Sequence, residues 1–542
     1  MTPGARGGSG PQGSADRARR AEGARRSGSV FLYFTWAFVA IGLVVVSWTL
    51  ATPLMAAPDE PTQVANAAAV VRGQIDEPIH HTYSGGQSMV HVPGWIESAR
   101  KLEQCYAFKP TVPASCEPSI SINTKMVDER IQFSNYPPLY YVIVGIPSLW
   151  LTGTTAVYWM RLTGDLVNCL LLALGIVLLA RYHSRRLPLF GALIALSPMV
   201  LFVTSVVNDS GLEVAAAFAA WCGGLCVIEQ ETPHRFVTVG TSIALVVFVL
   251  ARPVSPAYVA VLIVTLGLLA GWQRTRQLLG SPDVRRIAAA VAVAMGVAVV
   301  SLVIGGQPSL LGSPVKPALS ALGSIEDTLR LTKLRLLQCI GTFGWLDTPV
   351  PLFTTVIWTT AVGLLVAAGL AVSSACRRAL PFLILAILVA PVVFESPRIN
   401  VVGTYWQGRY WLPIVMGVPL VASTFGRPAT HRRSRLRLQR AAAMLVSGLI
   451  LGAAQLAAFL TALHRYETGL GAKPGTPVTW TPPGGTVLVV TLLIGGQLLL
   501  VAFATVAVLR PPAWRPPPSD GTLANGSSPG QRGSPILAVR SD

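Results

Sequence analysis

The chain is 542 residues long, 52% hydrophobic and only 12% charged, with a formal net charge of +18. No water-soluble fold could hide so much apolar side chain, and apolar runs of about 20 residues recur, the length that crosses about 30 Å of hydrocarbon. The composition specifies a polytopic membrane protein and makes nucleic-acid binding a poor account of the basic charge. Lysine is scarce beside abundant Arg, Ala, Gly and Pro, a balance that fits GC-rich bacterial coding.

Residues 1–29 are rich in Gly, Ser and Arg, and read as a disordered cytoplasmic tail. Val30 to Leu50 forms the first span. Its apolar run is longer than the ~7–15 residues of a signal-peptide core, so it reads as an uncleaved anchor with the N-terminus inside. Pro58, Asp59, Glu60 and Pro61 then set two adjacent carboxylates at the mouth of this helix.

Residues 51–157 form the first external loop. Within it, residues 139–151 are apolar but short and interrupted by Pro147, and read as an interfacial helix. The following helix, Tyr158 to Ala180, then runs inward and delivers Arg181, Arg185 and Arg186 to the cytoplasm. Further helices at about 187–206, 210–228, 236–251, 254–272, 287–305, 351–375, 379–394, 409–425, 441–463 and 486–509 keep the later Arg clusters on the same side. These are Arg274 with Arg276, Arg285 with Arg286, Arg377 with Arg378, the run Arg432 to Arg440, and the tail from Arg510. The segments so placed carry essentially the whole net charge.

The expected fold class is therefore all-α and integral to the membrane, with about twelve spans and both termini cytoplasmic. A transmembrane domain covers residues 30–509, and residues 510–542 form a second disordered tail. Arg252, Pro253 and Pro256 leave almost no loop between two spans and predict a helical hairpin. A second external loop, 306–350, carries a predicted amphipathic helix from Ile325 to Ile340 that would lie on the membrane surface. No internal repeat of the transporter kind is evident.

Cys105 and Cys116 lie close together in the first external loop, where the compartment permits a disulfide but sequence does not give connectivity. Cys222 and Cys226 sit inside a span and read as small buried hydrophobes. His80, His81 and His91 match no metal-ligand spacing and read as solvated loop residues.

This topology gathers several polar residues at the outer face. Asp59 and Glu60 follow the first span, as either an ordinary helix-end acid pair or a general base with a second carboxylate that orients an acceptor or a metal. Asn135 and Tyr136 precede Pro137 and Pro138. Arg161 and Asp165 are four apart on one helix face and either neutralise each other or leave Arg161 for phosphate recognition. Asp209 reads as a helix N-cap or as a second acid. Asp347, Glu395 and Arg398 lie on the same side, as does Arg409, which either snorkels outward beside an aromatic belt or meets an anion.

The order of these features resembles the GT-C superfamily of integral membrane glycosyltransferases, among them protein mannosyltransferases and aminoarabinose transferases acting on lipid A. The resemblance rests on Asp59 and Glu60 after a first helix, a long loop closed by Tyr136, Pro137 and Pro138, Arg161 with Leu162, and Pro198 followed by Asn208 and Asp209. Phe343 to Asp347 and Gly408, Arg409, Tyr410 and Pro413 look more closely like a bacterial family of predicted multi-spanning membrane proteins with no assigned function. Two departures stand out. Tyr136 occupies the place before Pro-Pro where better-known members often carry a basic residue, and there is no Asp-X-Asp.

The resemblance implies transfer of a sugar, with inversion, from a polyprenyl-phosphate donor to an envelope glycan, lipid or protein acceptor outside the cell membrane. Asp59 would be the base, Glu60 the acceptor-orienting acid, and Asp209 the second acid. Arg409, with Arg161 or Arg398, would meet the donor phosphate, and Asn135, Tyr136 and Asp347 would line the substrate site. A divalent cation is left open, with Asp59 and Asp209 its ligands if one is used. The alternatives are a lipid or polysaccharide transporter or flippase, and a noncatalytic scaffold of an envelope-polymer assembly complex.

Overall fold

The computed structural model describes residues 11–75, 80–82, 85–132, 136–305, 315–426, 434–473, 475–510 and 512. Helix α1 (Pro11–Ala51) contains the first apolar run, Val30–Ala51, but begins well upstream of it. Helix α1 runs back through residues 11–29, where Ala and Arg, both good helix formers, recur.

The first long loop is more structured than its polarity suggests. A turn leads into α2 (Glu60–Val70), followed by strands β1 (His80–Thr82) and β2 (Gly85–Pro93), short helices α3 (Gly94–Arg100) and α4 (Glu103–Tyr106), and strand β3 (Met126–Ile131). The three strands form an antiparallel sheet in the order β1-β2-β3, in which Val90 and Val92 face inward and Met89 and His91 outward, the period-two pattern of a half-buried strand. Cys105 and Cys116 are disulfide-bonded. Then comes α5 (Leu139–Gly145), continued by a 3-10 turn at Ile146–Leu149 and too short to cross a bilayer. It lies against α2 at Gly145, where a Cβ would stand 2.2 Å from the Ala67 carbonyl oxygen.

The bundle proper follows. Helix α6 (Gly153–Tyr182) is one long span, whereas the predicted span 187–206 is two helices, α7 (Leu187–Ala195) and α8 (Pro198–Val203), broken where Ser197 caps the second. Helix α9 (Asp209–Glu229) is the centre of the molecule, with 94% of its apolar window buried. Its run of Ala and Gly lets α6 and α10 (Arg235–Val249) pack closely on either side. Helix α11 (Ser255–Ala270) turns by 116° into α12 (Trp272–Gly280), so the predicted span to 272 ends at Ala270. Helix α13 (Pro282–Gly305) completes this half.

The single amphipathic helix expected over 325–340 is instead α14 (Ala321–Arg330) and α15 (Thr332–Gly341), separated at Leu331. Strands β4 (Thr342–Phe343) and β5 (Thr348–Pro349) close a tight turn. Spans α16 (Leu352–Val372) and α17 (Ser374–Phe394) lead to α18 (Ile399–Val402) and then to α19 (Gly408–Val415) and α20 (Gly417–Ala422), a second predicted span that is broken, here at Met416 between Pro413 and Pro419. Helices α21 (Ser434–Thr468) and α22 (Gly485–Leu509) end the bundle, with α22 packed along α1.

Among the described residues, eight helices are long and apolar enough to span a membrane, or nine if α11 and α12 count as one. The twelve predicted segments are all helical, but 187–206, 236–251, 254–272 and 409–425 are short or broken. The fold is all-α in its membrane part, and the chain is a multi-pass membrane protein.

The two ends of the bundle differ chemically. Asp59, Arg161, Asp209, Arg252, Glu395 and Arg409 lie at one end. At the other, Arg186 donates to the Arg510 carbonyl, Arg274 to the Ile228 carbonyl and Arg378 to the Leu268 carbonyl. If the Arg-rich end faces the cytoplasm, a cysteine replacing Arg377 will be shielded from an impermeant thiol reagent in intact cells, and one replacing Lys101 will be labelled. The opposite pattern would invert the orientation.

Candidate functional site

Burying a charge in an apolar bundle is tolerable only if it is paired and hydrogen-bonded, so each buried arginine at this end identifies its partner. Arg161 on α6 is fully buried, and so is Glu60. The guanidinium Nε and Nη2 donate to the two Glu60 carboxylate oxygens, each at 2.7 Å, and the remaining N–H groups reach the carbonyls of Thr49, Thr52 and Pro53 at 2.6–3.0 Å. All five donors of Arg161 are thereby occupied. Glu60 also accepts from the Val207 amide at 3.1 Å. Of the two readings of Arg161, neutralisation by Asp165 is not what the structure holds: Asp165 accepts from the Thr49 hydroxyl at 2.6 Å.

This clamp fixes the turn before α2, and the turn presents Asp59. Asp59 adopts a left-handed backbone (φ 67°) at the N-cap position of α2, yet its side chain caps nothing. Such a conformation costs about 1 kcal/mol in a non-glycine residue. Its carboxylate, 26% exposed, instead meets Nη2 of the buried Arg409. Arg409 also donates from Nη1 to the Pro58 carbonyl at 2.9 Å and from Nη2 to the Tyr410 hydroxyl at 3.1 Å, while its Nε has no partner. The Pro58 carbonyl accepts from Asn208 as well, at 3.0 Å, so one oxygen ties the first loop to α9 and α19. Arg409 does not snorkel to water. Gly408 makes its placement possible, since a Cβ there would meet Gln338 and the Arg335 carbonyl at 2.4–2.5 Å.

A second guanidinium stands beside the first. Arg252, at the hairpin tip between α10 and α11, lies 3.4 Å from Asp209 and donates to Glu213 at 3.2 Å. It stacks over Tyr410 at 4.7 Å and over Tyr136 at 6.0 Å, and Arg409 lies over the same Tyr410 ring at 5.0 Å. Asp209 is also met by Gln63 at 3.3 Å and by the Tyr141 hydroxyl at 3.4 Å. It is not the N-cap of α9, because Asn208 fills that position and accepts from the Ser210 amide.

Of the predicted site residues, Asp59, Tyr136, Asp209 and Arg409 come together. Glu60 and Arg161 form the frame beneath them. Asp347 lies beside the same turn from another direction: it meets Arg465 at 3.3 Å and accepts from Thr348, while the neighbouring Trp345 donates to the Met55 carbonyl. Arg398 is half-buried beside Tyr405, and the Tyr405 hydroxyl donates to the Phe394 carbonyl. Asn135 lies outside the described residues, as do the side chains of His80 and His81.

Glu213, Gln63 and Tyr141 are additions that sequence reading missed, and Arg252 had been placed at the outer face without a role. A carboxylate four residues after Asp209 in an Ala-rich apolar helix was the available signal for Glu213. For a divalent cation, Asp59 and Asp209 are a poor donor set, since each carboxylate faces a guanidinium. Among the described residues no group of three or more His, Cys, Asp or Glu is arranged to hold a metal.

Glu117, at the end of the 3-10 turn Ala114–Cys116, is a further acid in this loop, with Oε1 buried and unpartnered. Burial pushes its carboxyl up to about 7, although Tyr106 and Arg161 oppose the shift.

A family described as "Predicted membrane protein (DUF2142)" matches residues 43–418. Comparison with curated proteins finds no match. Among solved structures, ArnT from Cupriavidus metallidurans in the apo state is similar at 14% identity and a TM-score of 0.41, covering 89% of this chain and 76% of that one. The same protein bound to undecaprenyl phosphate gives 14% identity and a TM-score of 0.40, covering 89% and 77%.

Two outcomes follow from these contacts. Glu60→Gln strands the Arg161 charge and should cost about 3–5 kcal/mol of stability in detergent unfolding; wild-type stability in that variant would refute the clamp. Glu117, with a folded pKa raised above its ordinary 4.5, contributes most to stability below pH 4.5. That contribution falls as pH rises towards about 7 and is level beyond. Melting curves of Glu117→Gln should lack the decline that the wild type shows across that window.

Proposed function

The chain belongs to the DUF2142 family of predicted membrane proteins, and we propose that it is a glycosyltransferase acting on a polyprenyl-phosphate-linked sugar at the outer face of a bacterial cell membrane. The observation that carries this reading is the Asp59–Arg409 pair: a partly exposed carboxylate, held in a left-handed turn, against a buried guanidinium.

The reaction needs a base for an acceptor hydroxyl and a cation for the departing phosphate, and this pair supplies both. Asp59 takes the acceptor proton as the hydroxyl oxygen bonds to the anomeric carbon. The bond from that carbon to the phosphate oxygen breaks on the opposite face, and polyprenyl phosphate leaves with the electron pair, so the configuration inverts. Protonation removes the Asp59 charge that engages Arg409, and releases the guanidinium to the anion forming beside it. The two events are thereby coupled within one contact, in a site dry enough for fixed charge to matter.

Arg252, held by Asp209 and Glu213 across Tyr410, supplies a second positive charge and positions that ring. Glu60 and Arg161 act through the backbone they hold, with no donor of Arg161 left for a phosphate. No step passes through a metal.

In cells lacking the protein, a polyprenyl-phosphate-linked sugar should accumulate and be cleared by the wild-type gene. Asp59→Asn should lower transfer at least about 100-fold, the scale of a lost general base, with folded protein still present in the membrane. Clearance at the wild-type rate by that variant would rule Asp59 out as the base.

A further inference from the structure

At the end of the bundle remote from Asp59, Arg185, Arg186 and Arg440 border a cavity of about 330 Å³ whose walls include Phe190, Phe425 and Met444. Arg161 and Tyr182 mark the two ends along α6, roughly 31 Å apart at 1.5 Å per residue. None of the lining residues is acidic.

The contrast with the other end is in the pairing. Arg186 is 5% exposed and among the described residues has only carbonyl partners, the Ala180 oxygen at 2.7 Å and the Arg510 oxygen at 2.8 Å. The Nε atoms of both Arg185 and Arg186 are buried with no partner. The acid nearby, Glu229, accepts from the Ser184 amide at 2.8 Å and from the Ser184 hydroxyl. Burial pulls the Arg186 guanidinium down to about 10, as a desolvated cation without a salt bridge requires. A buried guanidinium with no carboxylate in salt-bridge contact among the described residues calls for an anion from outside the chain.

We propose that this cavity binds an anionic, phosphate-headed lipid, with the head on Arg185, Arg186 and Arg440 and the first part of the chain against Phe190, Phe425 and Met444. Guanidinium forks match phosphate oxygens, and a cavity of this size lies within the range of ligand pockets. The apolar walls select a lipid over a soluble anion, which would leave them uncovered. Basic pockets between helices at a membrane interface recognise headgroups in this way. The inference does not rest on the glycosyltransferase reading.

The test is thermal unfolding of the delipidated full-length protein in mild detergent. It is titrated separately with phosphatidylglycerol, polyprenyl phosphate, phosphatidylcholine and inorganic phosphate. Saturable stabilisation by one or both anionic lipids, and by neither of the others, is expected, and the tighter of the two identifies the source. Arg185→Gln with Arg440→Gln should weaken it about 25-fold, at about fivefold per arginine. Arg440→Gln alone, on the exposed side of α21, keeps the fold and should cost about fivefold. Equal affinity in these variants, stabilisation by phosphatidylcholine to the same extent, or saturation by inorganic phosphate alone would overturn the proposal.

Discussion

The Arg161–Glu60 pair is the constraint on which the Asp59 end of the molecule depends. A fully buried guanidinium is untenable without a countercharge, and here five N–H groups are matched by two carboxylate oxygens and three carbonyls from one turn. The turn has therefore little freedom to relax. Its last residue, Asp59, is left in a backbone conformation that it would not choose alone, and the Pro58 carbonyl is aimed where Arg409 and Asn208 can both reach it. The clamp thus sets the position of a carboxylate that it does not touch.

The same device recurs around the site with different degrees of closure. Glu395 takes two bonds from Arg335 and accepts the Tyr405 and Trp406 amides, which fixes the approach to Gly408. Arg465 gathers the Tyr106, Lys109 and Val112 carbonyls together with Asp347, pinning the disulfide-bonded loop to α21. These pairs are closed to water, with no side chain in them more than 7% exposed. The Asp59–Arg409 pair is open on one side, with an unpartnered Nε and a carboxylate in contact with solvent. Closed pairs give rigidity, and an open pair held by rigid neighbours can do chemistry without first paying for reorganisation.

The spans were legible in the sequence because apolar length is a local property, and so was the gathering of polar residues at one end, because arginine placement follows topology. Partners were not legible. Glu60 and Arg161 are 101 residues apart and Asp59 and Arg409 are 350 apart, so neither pairing leaves a local trace. Of the two local readings of Arg161, neither the i,i+4 pair with Asp165 nor a free phosphate contact is realised, because Glu60 and three carbonyls take its donors and Thr49 on α1 donates to Asp165. Helix breaks at Ser197 and Met416 were hidden by unbroken hydropathy, though Pro198, Pro413 and Pro419 were visible. The sheet in the first loop was missed because its strands are half polar, β2 opening on Gly85 and Gly86 and β3 carrying Asp128, Glu129 and Arg130, which reads as loop.

The two ends of the bundle solve the problem of buried arginine in opposite ways, and the difference bears on what each can bind. At the Asp59 end, carboxylates meet the guanidiniums, so local charge is nearly balanced and an incoming anion must displace an internal partner. Binding there is conditional, and protonation of Asp59 is one event that relaxes the condition. At the other end Arg186 has carbonyl partners alone, and much of the chain's net charge of +18 lies in the segments nearby. An anion meets no carboxylate bound to Arg186 among the described residues there, so on the proposed reading occupancy is set by what the membrane offers and not by a reaction step. On the proposed readings, a single composition thus yields one site gated by proton transfer and one open to a phosphate-headed lipid.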